Sequence, residues 1–246
     1  YSNLGRAERY NTTPENNHKY AIAITVEMNY DNINQAPGSI TIFESARKYF
    51  DVGNIAVMIS EYIRKLGYPA RAHIDGNYLV VCPLIAKDAG LGEIGRMGIL
   101  MTPHLGPRVR IAVITTDMPL ILSKKTYDST MIDFCNICKK CSVTCPSQAI
   151  PYGDRENINN VLRWQINSEK CYTYMDKTGT DCGKCMAVCP YSHRDILFSH
   201  KMMNLLIRNS SLFRKIAPIL DDALYGRRPK ALKNISWKVI NKRCRK

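Results

Sequence analysis

The sequence predicts an α+β (α/β) domain, followed by a cysteine-rich ferredoxin-like module and then by C-terminal helices. Three observations support this fold class. Strand and helix patterns alternate through the first half, eight of the ten cysteines lie between residues 135 and 189, and apolar residues at helical spacing follow them. We therefore predict three domains: residues 1-125 as an α/β domain, residues 126-195 as the ferredoxin-like domain, and residues 196-246 as a helical segment with a basic tail.

The first half is bounded by two predicted strands. Residues 20–30 (YAIAITVEMNY) are apolar and β-branched, which predicts a buried strand ending at Tyr30. Residues 109–116 (VRIAVITT) are apolar on both faces, as expected of a central strand. Four further elements are predicted between them: a helix with Ser39 or Thr41 as its N-cap, a helix from Gly53 to Leu66 capped by Gly67, one or two short strands in residues 71–81, and a short helix over residues 83–89.

The composition is that of an ordinary globular protein, but the positive charge is unevenly distributed. Of 246 residues, 45% are hydrophobic and 23% are charged, and no apolar run is long enough to cross a membrane. Between Pro190 and Lys246, fourteen Lys and Arg face three Asp, so +11 of the net charge of +14 lies there. We expect this basic C-terminus to contact an anionic membrane surface or an acidic redox partner, or simply to be solvated. Without an RNA-binding signature, nucleic acid is not an expected partner.

Two cysteine runs, each closed by Cys-Pro, are the most specific motif of the chain. A C-x2-C-x2-C-x3-C-P run is typical of a loop that holds a four-iron cluster and sends its last cysteine to a neighbouring cluster. The first run has this spacing, and the second differs only in a ten-residue gap after its first cysteine. The runs are Cys135, Cys138, Cys141, Cys145 and Pro146, and then Cys171, Cys182, Cys185, Cys189 and Pro190.

The spacing predicts how the cysteines are shared between two [4Fe-4S] clusters. Three closely spaced cysteines surround one cluster, and the fourth ligand comes from the other run because the chain has turned away. One set is therefore Cys135, Cys138, Cys141 and Cys189, and the other is Cys171, Cys182, Cys185 and Cys145. Disulfides and zinc are the alternatives. Disulfides need an oxidising compartment, and zinc gives no reason for a fourth cysteine followed by proline.

A glycine-rich segment, Gly90 to Gly95, fits the pattern G-x-G-x-x-G but not its structural context. A dinucleotide fingerprint requires a strand immediately before it and a helix immediately after it. Here a predicted helix precedes it, and Thr102, Pro103 and Gly106 interrupt any helix that follows. We therefore reject a Rossmann fold, although glycines this dense still allow a flat ligand to approach the backbone closely.

The same region resembles the corrinoid reductive dehalogenases. The resemblance rests on AGLGEIGRMG (residues 89–98), TPHLGPRVR (residues 102–110) and TTDMPL (residues 115–120), followed by the Phe-Cys run, the wide gap from Cys171 to Cys182 and the closing segment DDALYG (residues 221–226). It covers roughly residues 20–226, and it is carried by the order and combination of these segments.

This resemblance implies a nitroreductase-like α/β core in residues 1-125 that binds cobalamin, together with the two-cluster module. It also implies reductive removal of halide from an organohalide, with an electron donor protein or a quinol-linked donor as partner. In this family the cobalt has no histidine ligand from the protein, and none of the five histidines here lies in an Asp-x-His-x-x-Gly setting. We expect shape, apolar contacts and backbone hydrogen bonds to bind the corrin.

The resemblance also implies roles for five residues. Tyr30 matches the proton-donating tyrosine by its place in the order, and Arg96 matches the basic partner that lowers its pKa. Otherwise Tyr30 is a core aromatic at a strand end, and Arg96 forms an ion pair or a phosphate contact. Arg96, Gly92, Met97 and His104 are the expected cobalamin contacts, although His104 lies in a predicted loop and is equally explained as a structural or exposed residue.

Two other functions and the cellular location are left open by the sequence. An epoxyqueuosine reductase shares the cofactors, but it typically carries Gly-Trp-x-Gly-Lys where this chain has Gly92 to Arg96. A two-cluster electron carrier explains the cysteines but needs no large α/β domain. The chain begins at Tyr1, only 29 residues before Tyr30, where the dehalogenases carry part of the corrin pocket. We therefore expect a fragment, a more open pocket, or a pocket that another subunit completes. A complete chain is expected in the cytoplasm, and one that has lost a twin-arginine signal is expected to be exported and membrane-associated.

Overall fold

A computed structural model of the protein describes residues 17–123, 128–158, 161–193 and 205–226. Its main sheet has three antiparallel strands in the order β1-β5-β2, formed by Tyr20–Glu27, Val109–Thr116 and Ala70–His73. The prediction that residues 109–116 form a central strand is confirmed, since six of its eight residues are buried. Each strand pair between the described elements is antiparallel, which agrees with the rejection of a Rossmann fold.

One long helix, α2 (Ser39–Lys65), covers a face of this sheet. The sequence predicted two helices here, one with Ser39 or Thr41 as its N-cap and one from Gly53 to Leu66, although a glycine costs about 1 kcal/mol in a helix interior. The structure joins them, since Val52 and Ala56 on either side of Gly53 are buried against Ala112 and Ile114 of the sheet. Gly38 is the N-cap rather than Ser39 or Thr41, and Gly67 follows the helix with φ of +89°, as predicted.

Tyr30 does not end the first strand, as the sequence predicted, but begins a short helix, α1 (Tyr30–Ile33). Asn29 ends the extended conformation because its side chain caps this helix by accepting a hydrogen bond from the backbone N–H of Asn32 at 3.1 Å. The backbone N–H of Asn29 in turn donates to the buried carboxylate of Glu44 at 2.7 Å. Glu44 thus fixes the turn between β1 and α2.

The remaining elements are all shorter than α2, and most of them lie within or after the cysteine region. Helix α3 (Cys82–Asp88) confirms the predicted short helix, and the single strand β2 with a bridge between Ile74 and Asn77 replaces the predicted strand or pair of strands. The others are β3 (Glu93–Ile94), β4 (Leu100–Met101), α4 (Ser129–Cys138), α5 (Lys140–Thr144), β6 (Glu156–Ile158), β7 (Val161–Arg163), α6 (Ser168–Thr178), α7 (Lys184–Ala187), a 3-10 turn (Pro190–Ser192) and α8 (Ser211–Tyr225).

The hydrophobic cores extend across the predicted boundary between residues 125 and 126. One core joins Met97 and Met101 to Phe134, Trp164 and Tyr191, and it also contains cysteines of both runs. Another core joins the α1 region to α7, since Ile33 packs with Met186. The two predicted domains therefore share their interior, and the division into three domains stays a prediction.

The C-terminal region is described only in part. Helix α8 confirms the predicted helix over residues 212–224 and continues through Pro218. Most of the helix predicted for residues 196–207, the basic tail and Cys244 lie outside the described residues. In the ranges that the structure covers, no helix combines the length and the apolar character needed to span a membrane.

Candidate functional site

The first predicted cysteine set comes together in the fold. Cys135 and Cys138 lie on α4, Cys141 lies on α5, and Cys189 precedes the 3-10 turn. The pKa of Cys189 is raised, first by burial and then by the nearby charges of Cys135, Cys138 and Cys141. Since each of these thiols is close enough to act on Cys189, the structure supplies four cysteines around one volume. This grouping matches the set expected to bind the first cluster.

The second predicted set is grouped in the same way. Burial raises the pKa of Cys185 to about 12, and the charges of Cys182, Cys171 and Cys145 contribute after it. The two sets also adjoin each other, because the charge of Cys185 raises the pKa of Cys141. Electrons therefore have a short path from one set to the other.

The ligand requirements of a zinc ion and of a four-iron cluster differ. Zinc requires four ligands that meet at one atom. In a four-iron cluster each thiolate binds a different iron, so the thiols surround a volume instead of a point. The two cysteine runs, each closed by Cys-Pro, have the spacing that is typical of clusters.

The surroundings of Cys145 favour the thiolate form of its side chain. Burial raises its pKa, but hydrogen bonds from the Ser147 hydroxyl and from the N–H groups of Ala149, Ile150 and Ser147 outweigh burial and lower it overall. The Ala149 N–H lies 3.3 Å from the sulfur. Donors that converge on a sulfur stabilise its anionic form and are one of the means by which proteins tune iron–sulfur clusters.

A cleft of about 590 Å³ lies beside the second cysteine set. This volume is in the range of small-molecule and cofactor sites. Its wall includes Ile99, Cys82 and Ser168, the first residue of the helix that carries Cys171. The Cys82 thiol is a half-buried, unreactive wall group, because desolvation raises its pKa to about 11. A ligand in this cleft would lie next to the second cluster.

Tyr49 of α2 and Arg110 of β5 face each other in the cleft wall. The Arg110 guanidinium carbon lies 4.6 Å from the centre of the Tyr49 ring. Burial raises the pKa of Tyr49, and the charge of Arg110 opposes this rise. Arg110 is also 3.7 Å from Asp181, which precedes Cys182, and in the described part of the chain its Nε is buried without a hydrogen-bond partner. The cleft wall thus contains a tyrosine that keeps its proton and an arginine cation packed against the ring of that tyrosine.

Tyr30 lies in a different environment and does not line this cleft. Its hydroxyl is 3.3 Å from Nδ1 of His193, and Nε2 of His193 is 2.6 Å from Asp221. The guanidinium carbon of Arg108, at 5.6 Å from the ring, is the cation next to Tyr30. Asp221 also pairs with the buried Lys140, so Tyr30 belongs to a polar network between α1, α5 and α8.

Arg96 contacts the first cysteine run, and its role as the basic partner of Tyr30 stays a prediction. Its side chain is buried, and its guanidinium donates hydrogen bonds to the carbonyls of Cys135 at 3.0 Å, Pro151 at 2.9 Å and Gly153 at 2.7 Å. It also stacks on Trp164, with 4.6 Å from its guanidinium carbon to the ring centre. Arg96 therefore connects the β3–β4 hairpin to the first cysteine run, and the structure assigns it no ligand contact in the cleft.

Comparison with known proteins identifies a family that matches the cysteine region and relatives that match most of the chain. Residues 134–193 match the 4Fe-4S dicluster domain family. The chain is 35% identical over 213 residues to tetrachloroethene reductive dehalogenase from Sulfurospirillum multivorans, covering 83% of this chain and 42% of that protein. It is 34% identical to the enzyme of the same name from Desulfitobacterium hafniense, covering 71% of this chain and 33% of that protein. The chain is a homologue of the reductive dehalogenases.

The solved structures of reductive dehalogenases agree with this relationship. The catabolic reductive dehalogenase NpRdhA, solved with 3-bromo-4-hydroxybenzoic acid, has a TM-score of 0.81 and 31% identity, over 85% of this chain and 31% of that protein. Epoxyqueuosine reductase from Francisella cf. novicida is a more distant relative, at 28% identity over 72% of this chain and 54% of the protein. The chain thus spans less than half of the length of the dehalogenases to which it is similar.

Among the cobalamin contacts expected of a dehalogenase, Gly92, Met97 and His104 do not line the cleft. Gly92 is required for another reason, because a Cβ there would lie 2.0 Å from the Met101 carbonyl oxygen. Met97 is buried in the core around the first cysteine set, and His104 is exposed in the turn between β4 and β5. The cleft is lined instead by Gly98, the last residue of the segment AGLGEIGRMG, and by Ile99 and Leu100, which follow it.

Proposed function

We propose that this chain is the cluster-bearing and catalytic part of a corrinoid-dependent reductive dehalogenase. The observation that carries the proposal is the Tyr49–Arg110 pair in a cleft of about 590 Å³ beside the second cysteine set. The net reaction takes two electrons and one proton, breaks a carbon–halogen bond, and releases halide and the hydrogenated product. The site provides a path for the electrons and a group for the proton.

The cofactors that we propose are two [4Fe-4S] clusters and one cobalamin in the cleft. B12-dependent dehalogenation has been inferred from a reductive dehalogenase structure to which this chain is 31% identical, with a TM-score of 0.81. The bound corrinoid would supply the electrons that cleave the carbon–halogen bond. The apolar wall residues Ile99, Leu100 and Ile111 suit a flat macrocycle. We also propose that the antiparallel sheet under α2 is a nitroreductase-like core.

In this proposal Tyr49 donates the proton and Arg110 stabilises the tyrosinate that is left. Burial raises the pKa of Tyr49, so its hydroxyl keeps its proton until the substrate carbon takes it. Arg110 then faces a developing negative charge, which is the state in which its attraction is strongest. Tyr30 has the corresponding cation in Arg108, but its hydroxyl contacts His193 outside the cleft. We therefore assign proton donation to Tyr49 in preference to Tyr30.

The two tyrosines provide a direct test in protein reconstituted anaerobically with iron, sulfide and hydroxocobalamin. With a low-potential reductant, halide release from tetrachloroethene or 3-bromo-4-hydroxybenzoic acid should fall at least about 100-fold in Tyr49→Phe, as for loss of a general acid. Tyr30→Phe, the matched control, should retain turnover within about twofold of wild type. The reverse pattern, at equal cluster and cobalamin loading, would return the role to Tyr30.

Two other outcomes would reject the function itself. Cluster absorbance without any cobalamin uptake would favour a two-cluster electron carrier, and reduction of epoxyqueuosine in tRNA without halide release would favour the more distant relative.

The electron donor that we propose is a protein or a quinol-linked donor, which the basic C-terminus would help to bind or to hold at an anionic membrane. For location, we propose export if the gene encodes a twin-arginine signal upstream, and the cytoplasm otherwise.

A further inference from the structure

Arg96 carries a buried positive charge whose hydrogen-bond partners are nearly all neutral carbonyls. The side chain is 1% exposed. Its nitrogens donate to the carbonyls of Cys135, Pro151 and Gly153, and at 3.4 Å to the carbonyl and side-chain oxygens of Asn136. In the described residues no carboxylate lies within salt-bridge distance of it. A buried charge without a counter-charge is costly, so a compensating anion is expected nearby.

The groups whose anionic forms would act on Arg96 are mainly the thiols of the first cysteine set, which become thiolates when they bind a cluster. Burial lowers the pKa of Arg96, and the charges that oppose this are, in decreasing order, those of Cys141, Cys135, Asp154 and Cys138. Asp154 is solvent-exposed, so its charge is screened. Four thiolates around a four-iron cluster give a net negative charge that grows by one when the cluster is reduced. The cluster is therefore the anion that the position of Arg96 requires.

We propose that Arg96 is the counter-charge and the positioning residue of the first cluster, and that it raises the reduction potential of this cluster. A cation next to the cluster stabilises the reduced, more negative form over the oxidised form. This inference rests on the two-cluster arrangement alone and holds whichever substrate the cleft takes. It also explains why an arginine of the dehalogenase-like segment is directed away from the cleft.

An arginine suits this position better than a lysine, because its planar guanidinium carries several donors in a fixed geometry. Its donors reach two separate segments, residues 135–136 of α4 and residues 151–153 after the first run, and its flat face stacks on Trp164. A lysine would keep the charge but lose most of these contacts. The electrostatic role and the positioning role can therefore be separated by substitution.

The test is a redox titration of the anaerobically reconstituted chain, followed by electron paramagnetic resonance. In Arg96→Gln the first cluster should become at least tenfold harder to reduce, which lowers its midpoint potential by about 59 mV, while the second midpoint stays in place. The Asp181→Asn variant assigns the waves, because Asp181 acts on Cys171 of the second set and its loss should raise the other midpoint. Arg96→Lys should keep the first midpoint but lose iron faster under chelation.

The matched control is Arg155→Gln, which removes the other arginine that faces the Trp164 ring, at 5.7 Å. It should leave both midpoints unchanged. If Arg96→Gln takes up both clusters and neither midpoint shifts, or if the shifted wave is the one that Asp181→Asn moves, the proposal is wrong. If the glutamine variant cannot hold the first cluster, the lysine variant decides: a tenfold loss of reducibility despite the retained charge would overturn the electrostatic role. Halide release is not measured, so these outcomes are independent of the dehalogenase proposal.

Discussion

At the residue scale, three arginines that lie close together in the sequence make three different kinds of contact. Arg96 donates hydrogen bonds to carbonyls in and after the first cysteine run. Arg108 donates a hydrogen bond to the Met28 carbonyl at 2.7 Å, and Arg110 faces the Tyr49 ring in the cleft wall. Of the three, the resemblance predicted a role for Arg96 alone, as the basic partner of Tyr30 and a cobalamin contact. Tyr49 and Arg110 were missed because a helix residue and a strand residue meet only through tertiary packing. The available signal was Arg110 itself, the one charged residue in the apolar strand β5.

The buried carboxylate of Asp221 is the residue whose loss should destabilise the fold most clearly. It pairs with the buried amine of Lys140 and lies 2.6 Å from Nε2 of His193. In the described residues the Lys140 amine pairs with two carboxylates, those of Asp221 and, at 2.9 Å, Asp222. Asp221→Asn removes the first of them. We expect the free energy of unfolding to fall by about 3 kcal/mol, as for a broken buried ion pair. Urea denaturation of the reconstituted protein measures this.

An exposed ion pair on α2 is the control for this prediction. Glu61 pairs with Arg64 on the helix surface, where solvent screens the charges. Glu61→Gln should therefore leave the urea midpoint unchanged. Equal effects of Asp221→Asn and Glu61→Gln would show that the Lys140 network does not contribute to stability through its burial.

At the element scale, apolar patterning predicted strand β5 and helix α3 because their burial is encoded in their own residues. It failed at α1, where a side-chain cap on Asn29 and the distant carboxylate of Glu44 end the strand early. The cysteine spacing predicted both sets because the ligands of a cluster are nearly all local in the sequence. The carbonyl partners of Arg96 come from segments up to 57 residues away, which no local pattern contains.

The pairing of strands β2 and β5 should be sensitive to pH through His73. Burial, and then the charges of Arg71 and His18, lower the pKa of His73 from 6.5 to about 4. The Leu79 N–H donates to Nδ1 at 3.2 Å, so Nδ1 is an acceptor and the proton of the neutral ring lies on Nε2, 2.9 Å from the Thr115 hydroxyl. Protonation of Nδ1 would remove this acceptor. The folded state therefore favours the neutral ring.

Stability should consequently fall as the pH decreases from 6.5 to about 4, where the unfolded chain takes up a proton that folded His73 does not. At 1.36 kcal/mol per pH unit, the loss is about 3 kcal/mol. In His73→Gln this loss should be absent. Urea denaturation of both proteins at pH 7 and pH 5 isolates the effect, since clusters are common to both. Parallel pH curves for the two proteins would contradict the assignment.

At the scale of the whole molecule, the clusters and the α/β part are expected to depend on each other. The core that contains Cys135, Cys141 and Cys189 also contains Met97 and Met101 of the first half, and Ile33 packs with Met186 on the other side. Composition and spacing predicted two separate modules, because nothing in the sequence shows which apolar residues of one half pack against the other. A shared interior couples the folding of its parts.

Removal of the clusters should therefore unfold the sheet as well as the cysteine region. Trp164 is buried in the shared core, so its fluorescence in a Trp237→Phe background reports on that core, while far-ultraviolet circular dichroism reports on the helices, of which α2 is the longest in the described residues. When iron is chelated anaerobically, both signals should change together and in proportion to the iron lost, because the thiols, left without cluster charge, no longer order the loops around Met97 and Met101. Cys189→Ala, which removes one ligand of the first set, should give the same coupled loss at partial iron content. If the helical circular dichroism largely persists after iron is gone and Trp164 is exposed, the predicted boundary at residues 125 and 126 separates two independently folding domains.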